Sequence, residues 1–351
     1  MTAARPREAW MDALRALCAF LVIVNHTNSG LFRLFTPSDA QWWLATLWYY
    51  ASKLAVPVFV LVSGACLLPR VDAPRKAAWR ALRVGVALVA ASYVYFLYDA
   101  WVNWGLWPRM LRLDVLAQWI WSQSVTDSFW YLYFYIGLML TLPFLQRLAQ
   151  SLSKNETAWL VALCLLFGGA WPLAAHYLPG LALPGYLYVP LFTGYMGLFF
   201  AGHFIRRWLP PSRGLALGAL ILLVATLLAN VALTYVEYGR VAPGDKYLFM
   251  DERTAPSLTI MLGAMALMAL AKCTKQKQPG GRMTAALGGC AFGVYLAQDL
   301  AIQVSEKRVF EALMAHMPPF AAALLWEMAV YAACVAVVLV LRRVPGIKSV
   351  L

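Results

Sequence analysis

From about residue 10 onward the chain alternates between apolar stretches of about 20 residues and shorter polar segments dense in arginine and lysine. A helix that crosses a bilayer needs about 20 mainly apolar residues. Ten stretches are read as such spans, roughly 10–30, 44–68, 79–100, 129–149, 157–178, 186–208, 214–236, 256–272, 283–305 and 320–341. The eighth is short, and the ninth is glycine-rich and mixed in character. The predicted fold is all-α: a polytopic transmembrane helical bundle of about ten spans, one domain over residues 1–351, with both termini cytoplasmic.

The polar segments test that count, because lysine and arginine collect on the cytoplasmic side of membrane proteins. With the N-terminus inside, the inner segments hold 19 of the 29 basic residues and the outer segments 8; Arg15 and Lys53 fall within spans. A misplaced span would invert every later loop and blur this asymmetry. The net charge of +13 is thus read as cytoplasmic loop charge, and no nucleic-acid partner is expected. At 62% hydrophobic and 13% charged residues, the chain leaves little length for a soluble domain. The six cysteines fall mostly inside or at the edges of apolar segments, and no two form a Cys-x-x-Cys pair. That argues against a disulfide framework and a zinc site, and no metal is expected. Arg5 and Arg7 precede the first apolar run as in a signal peptide, but no small-x-small cleavage site follows before His26, so the segment is read as a retained span. Of the two long outer loops, 101–128 is tryptophan-rich with short amphipathic periodicity and is predicted to lie along the membrane surface. The other, 237–255, is polar and carries four carboxylates.

The first span holds two ionisable residues that lipid would not favour, Arg15 and His26. Eleven residues at about 100° each make about three turns, so both side chains share one helix face, about 16 Å apart along the axis. Asp12, one turn before Arg15, can pair with it. Two readings stand. Charged groups within a span usually line a protein interior or a watery cavity, which would put both residues along one cavity through much of the membrane. Alternatively, Arg15 snorkels to the inner headgroups and His26 packs at the outer interface. His176, His203 and His316 are scattered without ligand spacing and are read as structural.

The stretch "MDALRALCAFLVIVNH" resembles the first helix of the acyltransferase-3 family of integral-membrane acyltransferases, whose signature is an arginine, ten residues and a histidine; here it falls on Arg15 and His26. "VPVFVLVSGACLL" resembles the family's second span, with Ser63 and Gly64 at its Ser-Gly position. "WRALRV" matches its Arg-x-x-Arg at Arg80 and Arg83, and "FWYLYFYIGLMLTLPFL" and "YMGLFFAGHFIR" resemble two later spans. The ordered set covers most of the chain. One departure is visible in "AFGVYLAQDL": the family commonly has Tyr-Leu-x-His, whereas this chain has Gln298 followed by Asp299. Asp299 is therefore a candidate to replace that histidine.

The resemblance implies transfer of an acyl group, often acetyl, from cytoplasmic acyl-CoA to a hydroxyl of an envelope or exported polysaccharide or its lipid-linked precursor. The expected setting is the bacterial cytoplasmic (inner) membrane, multi-pass in the bilayer. Because the chain ends soon after the tenth span, it resembles the stand-alone glycan O-acetyltransferases. In this reading acetyl-CoA is the acyl-donor substrate. Arg80 and Arg83, with Arg15 contributing or orienting an inner gate through Asp12, would hold the donor's phosphates, since guanidinium forms paired, charge-assisted bonds to them. His26 would act as general base, its imidazole titrating near neutral pH. Ser63, Asn25 and Tyr295 are possible oxyanion donors, and the catalytic set is completed by Arg15, Asp12 and Asp299. A polysaccharide exporter or flippase on the same scaffold is the alternative. A proton-coupled transporter using His26 is weaker, since no second intramembrane acid or base is clearly placed beside it.

Overall fold

The computed structural model describes residues 8–27, 31–103, 105, 112–122, 125–181, 193–240, 257–274 and 281–346, and among them every regular element is helical. The helices are α1 (Ala9–Thr27), α2 (Ala40–Lys53), α3 (Ala55–Leu67), α4 (Pro74–Tyr98), α5 (Leu113–Ser122), α6 (Trp130–Ser151) and α7 (Lys154–Leu165). They continue as α8 (Trp171–Tyr177), α9 (Gly194–Trp208), α10 (Arg213–Tyr238), α11 (Leu258–Cys273), α12 (Gly281–Ser305), α13 (Glu311–Met314) and α14 (Pro319–Leu341). Each of the ten expected spans overlaps one of these helices or a consecutive pair, with residues 28–30 of the first and 186–192 of the sixth lying outside the described residues. Among the described residues, eight helical stretches are long and apolar enough to cross a bilayer. The described part of α9 is 15 residues long, and α11, apolar throughout, is 16. Most of the acidic loop expected at 237–255 lies outside the described residues, as do Lys275 and Lys277 of an inner segment. In the 101–128 loop, α5 supplies the amphipathic helix that the periodicity suggested.

Two expected spans are divided rather than continuous, and proline explains both. Pro57 has no N–H to bond the Lys53 carbonyl, so the chain turns at Leu54 between α2 and α3. Pro172 removes a donor from the start of α8, after a π-helical turn over Leu166–Ala170 that contains two glycines.

In lipid there is little hydrophobic drive to bring helices together, so close backbone packing carries much of the association. Helix α1 runs along α12 and also meets α2, α3 and α14; α3 lies on α9, α9 on α7, α10 on α11, and α4 on α6. Two glycines set the approach beside the site. A Cβ at Gly288 would lie 2.4 Å from the Asp12 carbonyl oxygen, and one at Gly64 would lie 1.8 Å from the Phe199 carbonyl oxygen. Any side chain at either position would push the helices apart. On the outside, α4 exposes Trp79, Leu82, Val86 and Val89, and α10 exposes Leu217, Leu220, Ile221 and Val224. Apolar faces turned outward from a polar-lined interior are what a lipid solvent demands. The protein is a polytopic helical membrane protein.

Candidate functional site

The α4–α6 pair leans against α1, α3 and α12, and a cavity of about 380 Å³ lies between them. At one end it is lined by Arg15 of α1 and by Arg80 and Arg83, one turn apart on α4. Its walls are aromatic, with Phe59 from α3, Tyr131 and Tyr135 from α6, and Phe292 and Tyr295 from α12. Ser63 lines it too, meeting the hydroxyls of Tyr131 and Tyr135. The Ser-Gly pair of α3 thus divides its work: Ser63 faces the cavity, and Gly64 lets α9 approach.

Each arginine has a different freedom. Arg15 donates to the buried Asp12 carboxylate at 2.8 Å, the pairing expected from their spacing, and to the Cys66 sulfur at 3.3 Å. Arg80 is held by Asp72 at 2.5 Å in the turn between α3 and α4. Asp72 also takes Lys76 at 2.8 Å and the Gln146 amide at 3.0 Å. Burial would raise the Asp72 carboxyl, but the bonds from Lys76, Gln146 and Arg80 outweigh it and hold the group well below the usual carboxylate range. Arg83 shows no ion pair among the described residues and is exposed to the cavity. Among the three it is the guanidinium most available to an anion.

His26 does not line this cavity, which corrects the expectation of one slot lined by both Arg15 and His26. The reason lies in α12. Tyr295 is the last α12 residue to line the cavity, and its hydroxyl donates to the Ser128 carbonyl just before α6. Beyond that wall the Ser128 hydroxyl donates to Asp299, and Thr126 donates to the same carboxylate oxygen at 2.8 Å. The other oxygen of Asp299 faces His26 Nδ1 at 3.8 Å, longer than a hydrogen bond but within ion-pair range. An acid therefore stands beside the histidine, where the sequence placed none clearly. Tyr95 of α4 steadies this part of α12, donating to the Leu296 carbonyl at 3.1 Å and accepting from the Leu300 N–H at 3.0 Å.

The short polar run before α6 makes this possible. Thr126 is extended, a single 3₁₀ turn over Asp127–Phe129 follows, and two hydroxyls are thereby presented to α12 before the helix begins. Several partners had no signal in the sequence. Thr126 and Ser128 are more than 170 residues from Asp299. Glu327 of α14, fully buried, accepts from Thr27 at 2.8 Å and from the Trp48 indole at 3.1 Å, pinning the end of α1 next to His26. Gln298 is fully buried, and neither end of its amide has a partner among the described residues. The same holds for the Asn25 side-chain oxygen.

A family profile described as an acyltransferase domain matches residues 8–343. The chain belongs to the acyltransferase-3 family. No curated protein and no solved structure matches the chain. Membership makes this an acyltransferase of the membrane. In space, Arg15, Ser63, Arg80 and Arg83 meet in the cavity, whereas His26 is not among its lining residues.

Proposed function

We propose that the protein transfers an acyl group, most simply acetyl, from acyl-CoA to a hydroxyl of a cell-envelope or exported polysaccharide or its lipid-linked precursor. The observation that supports this is the arrangement of a basic, aromatic-walled cavity whose far end is one hydrogen-bonded residue, Ser128, away from a His26–Asp299 pair. In the orientation expected from loop charge, the arginine end faces the cytoplasm of a bacterial inner membrane, where acyl-CoA is found. Arg83 would take a phosphate of the donor, with Arg15 and Arg80 supplying field from their fixed pairs. The pantetheine arm would lie against Phe59, Phe292 and the tyrosines.

Asp299 would hold the imidazole with Nδ1 protonated, which leaves Nε2 as the base. The acceptor hydroxyl would approach from the side on which His26 is partly open, its side chain 27% exposed. Its oxygen attacks the thioester carbonyl carbon while Nε2 takes its proton. The carbon–sulfur bond then breaks, and the CoA sulfur leaves with the proton returned from the imidazolium. Tyr295 stands in the path, so its ring must leave the Ser128 carbonyl for the thioester to reach His26. Freed, its hydroxyl is placed to donate to the developing oxyanion.

Transfer of label from acetyl-CoA in membranes carrying wild type or His26→Ala tests the role of the base. A fall of about 10²–10⁴ is expected for loss of a general base. Equal labelling would refute it.

A further inference from the structure

A second basic pocket, of about 350 Å³, lies on the other side of the α3–α4 turn from the arginine cavity. It is lined by Pro69 and Gln150 and by His203, Arg206 and Arg207 near the end of α9. His203 is 1% exposed, and neither ring nitrogen has a partner among the described residues. A buried imidazole with both nitrogens unmet is costly unless something else meets them.

Its surroundings favour an anion. The end of a helix normally offers bare carbonyl oxygens, which repel anions. Here Lys272 of α11 covers two of them and the carbonyl just after the helix, its ammonium donating to Ile205, Arg206 and Leu209 at 2.7–2.8 Å. The Gln150 amide likewise covers the Leu68 carbonyl at 2.8 Å. Arg206 is set in place by the Ala65 carbonyl at 2.7 Å and by Glu8, whose carboxylate offsets one of the three cations. Arg207 lies over the Trp208 ring, 4.7 Å from its centroid, and is otherwise exposed. With those carbonyls covered, a net positive charge lines a space larger than a phosphate ion needs, and the buried His203 ring in its wall keeps both nitrogens unmet.

The geometry points to a phosphate-ester site: His203 and Arg207, with Arg206 behind them, hold a phosphoryl group together with the sugar or glycerol attached to it. The ester is either a soluble nucleotide or the headgroup of an anionic phospholipid. The site is separate from the arginine cavity and stands whether or not the acyl donor is acyl-CoA.

Two probes distinguish the sources. Binding of adenosine 3′,5′-bisphosphate is measured on the purified protein in uncharged detergent. Retention of phosphatidylglycerol against phosphatidylcholine is measured after reconstitution in mixed vesicles. Each is run on wild type, Arg207→Gln, His203→Gln and, as control, Arg83→Gln. Arg207 is exposed, so its variant keeps the test valid if the His203 variant fails to fold. For a nucleotide site, bisphosphate affinity falls about tenfold in Arg207→Gln, as expected for one lost charge-assisted contact, with a measurable fall also in a folded His203→Gln. For a lipid site, the preference for phosphatidylglycerol is lost in the same variants. The proposal is overturned if wild type binds neither probe, if Arg207→Gln binds both as wild type does, or if only Arg83→Gln weakens binding.

Discussion

The arginine end and the histidine end of the site are built in opposite ways. At the arginine end every fixed charge is paired locally: Arg15 with Asp12 three residues before it, Lys76 with Asp72 four residues before it, Arg80 with Asp72 eight before it. At the histidine end the partners come from across the chain. Asp299 meets Thr126, Ser128 and His26, and Glu327 meets Thr27 and Trp48. Local pairing makes a basic mouth that forms as soon as its helices do, and leaves Arg83 without an ion pair among the described residues. Long-range pairing makes the histidine end depend on α1, α6, α12 and α14 all being docked. The proposed function, which needs a ready anion site and a positioned imidazole, would thus be divided between a robust part and an assembled part.

That contrast can be broken from either end. The largest effect is expected at the assembled end. Asp299→Asn keeps the shape but removes the charge facing His26, and should lower kcat by about 10²-fold while leaving KM for the donor nearly unchanged. Equal losses in kcat and donor affinity would place Asp299 in binding instead. Next comes Asp72→Asn, which leaves Arg80 and Lys76 without their carboxylate and should cost about 2–3 kcal/mol. Its sign with pH is defined. A carboxyl held below its unfolded value near 3.9 stabilises the fold fully above that value and progressively less below it. The melting temperature of wild type in detergent should therefore exceed that of Asp72→Asn by a constant margin above about pH 5, and the margin should shrink as pH falls below about 4. A margin independent of pH would mean that the carboxylate is not what Arg80 needs. Arg83→Gln should raise KM for acyl-CoA about tenfold, about 1.4 kcal/mol, and change melting little. An unchanged KM would move donor binding elsewhere. Smallest is Tyr295→Phe, which loses one hydrogen bond to Ser128, worth about 1 kcal/mol. Melting should fall slightly, and transfer should fall more than donor binding if the hydroxyl meets the oxyanion.

The same division explains how much the sequence could tell. Spans were legible because lipid imposes about 20 apolar residues on each crossing. Asp12–Arg15 was legible because a helix places residues three apart side by side. Arg80 and Arg83 were visible as a pair, yet not their inequality, since Asp72 reaches Arg80 through a turn whose geometry no periodicity encodes. Spacing put Arg15 and His26 on one face but could not show that Tyr295, from another helix, would close the space between them. Thr126, Ser128 and Glu327 carried no mark at all, being ordinary residues until the helices that bear their partners arrive.

We propose that donor binding belongs to the arginine cavity and proton transfer to His26, with Tyr295 between. CoA binding by purified protein and label transfer from acetyl-CoA, both measured on His26→Ala and Arg83→Gln, address it most directly. The expected pattern is crossed: His26→Ala binds CoA within about twofold of wild type and transfers at least 10²-fold more slowly, while Arg83→Gln binds about tenfold more weakly and recovers most of its rate at saturating donor. A His26→Ala protein that loses CoA binding in step with transfer would contradict the separation.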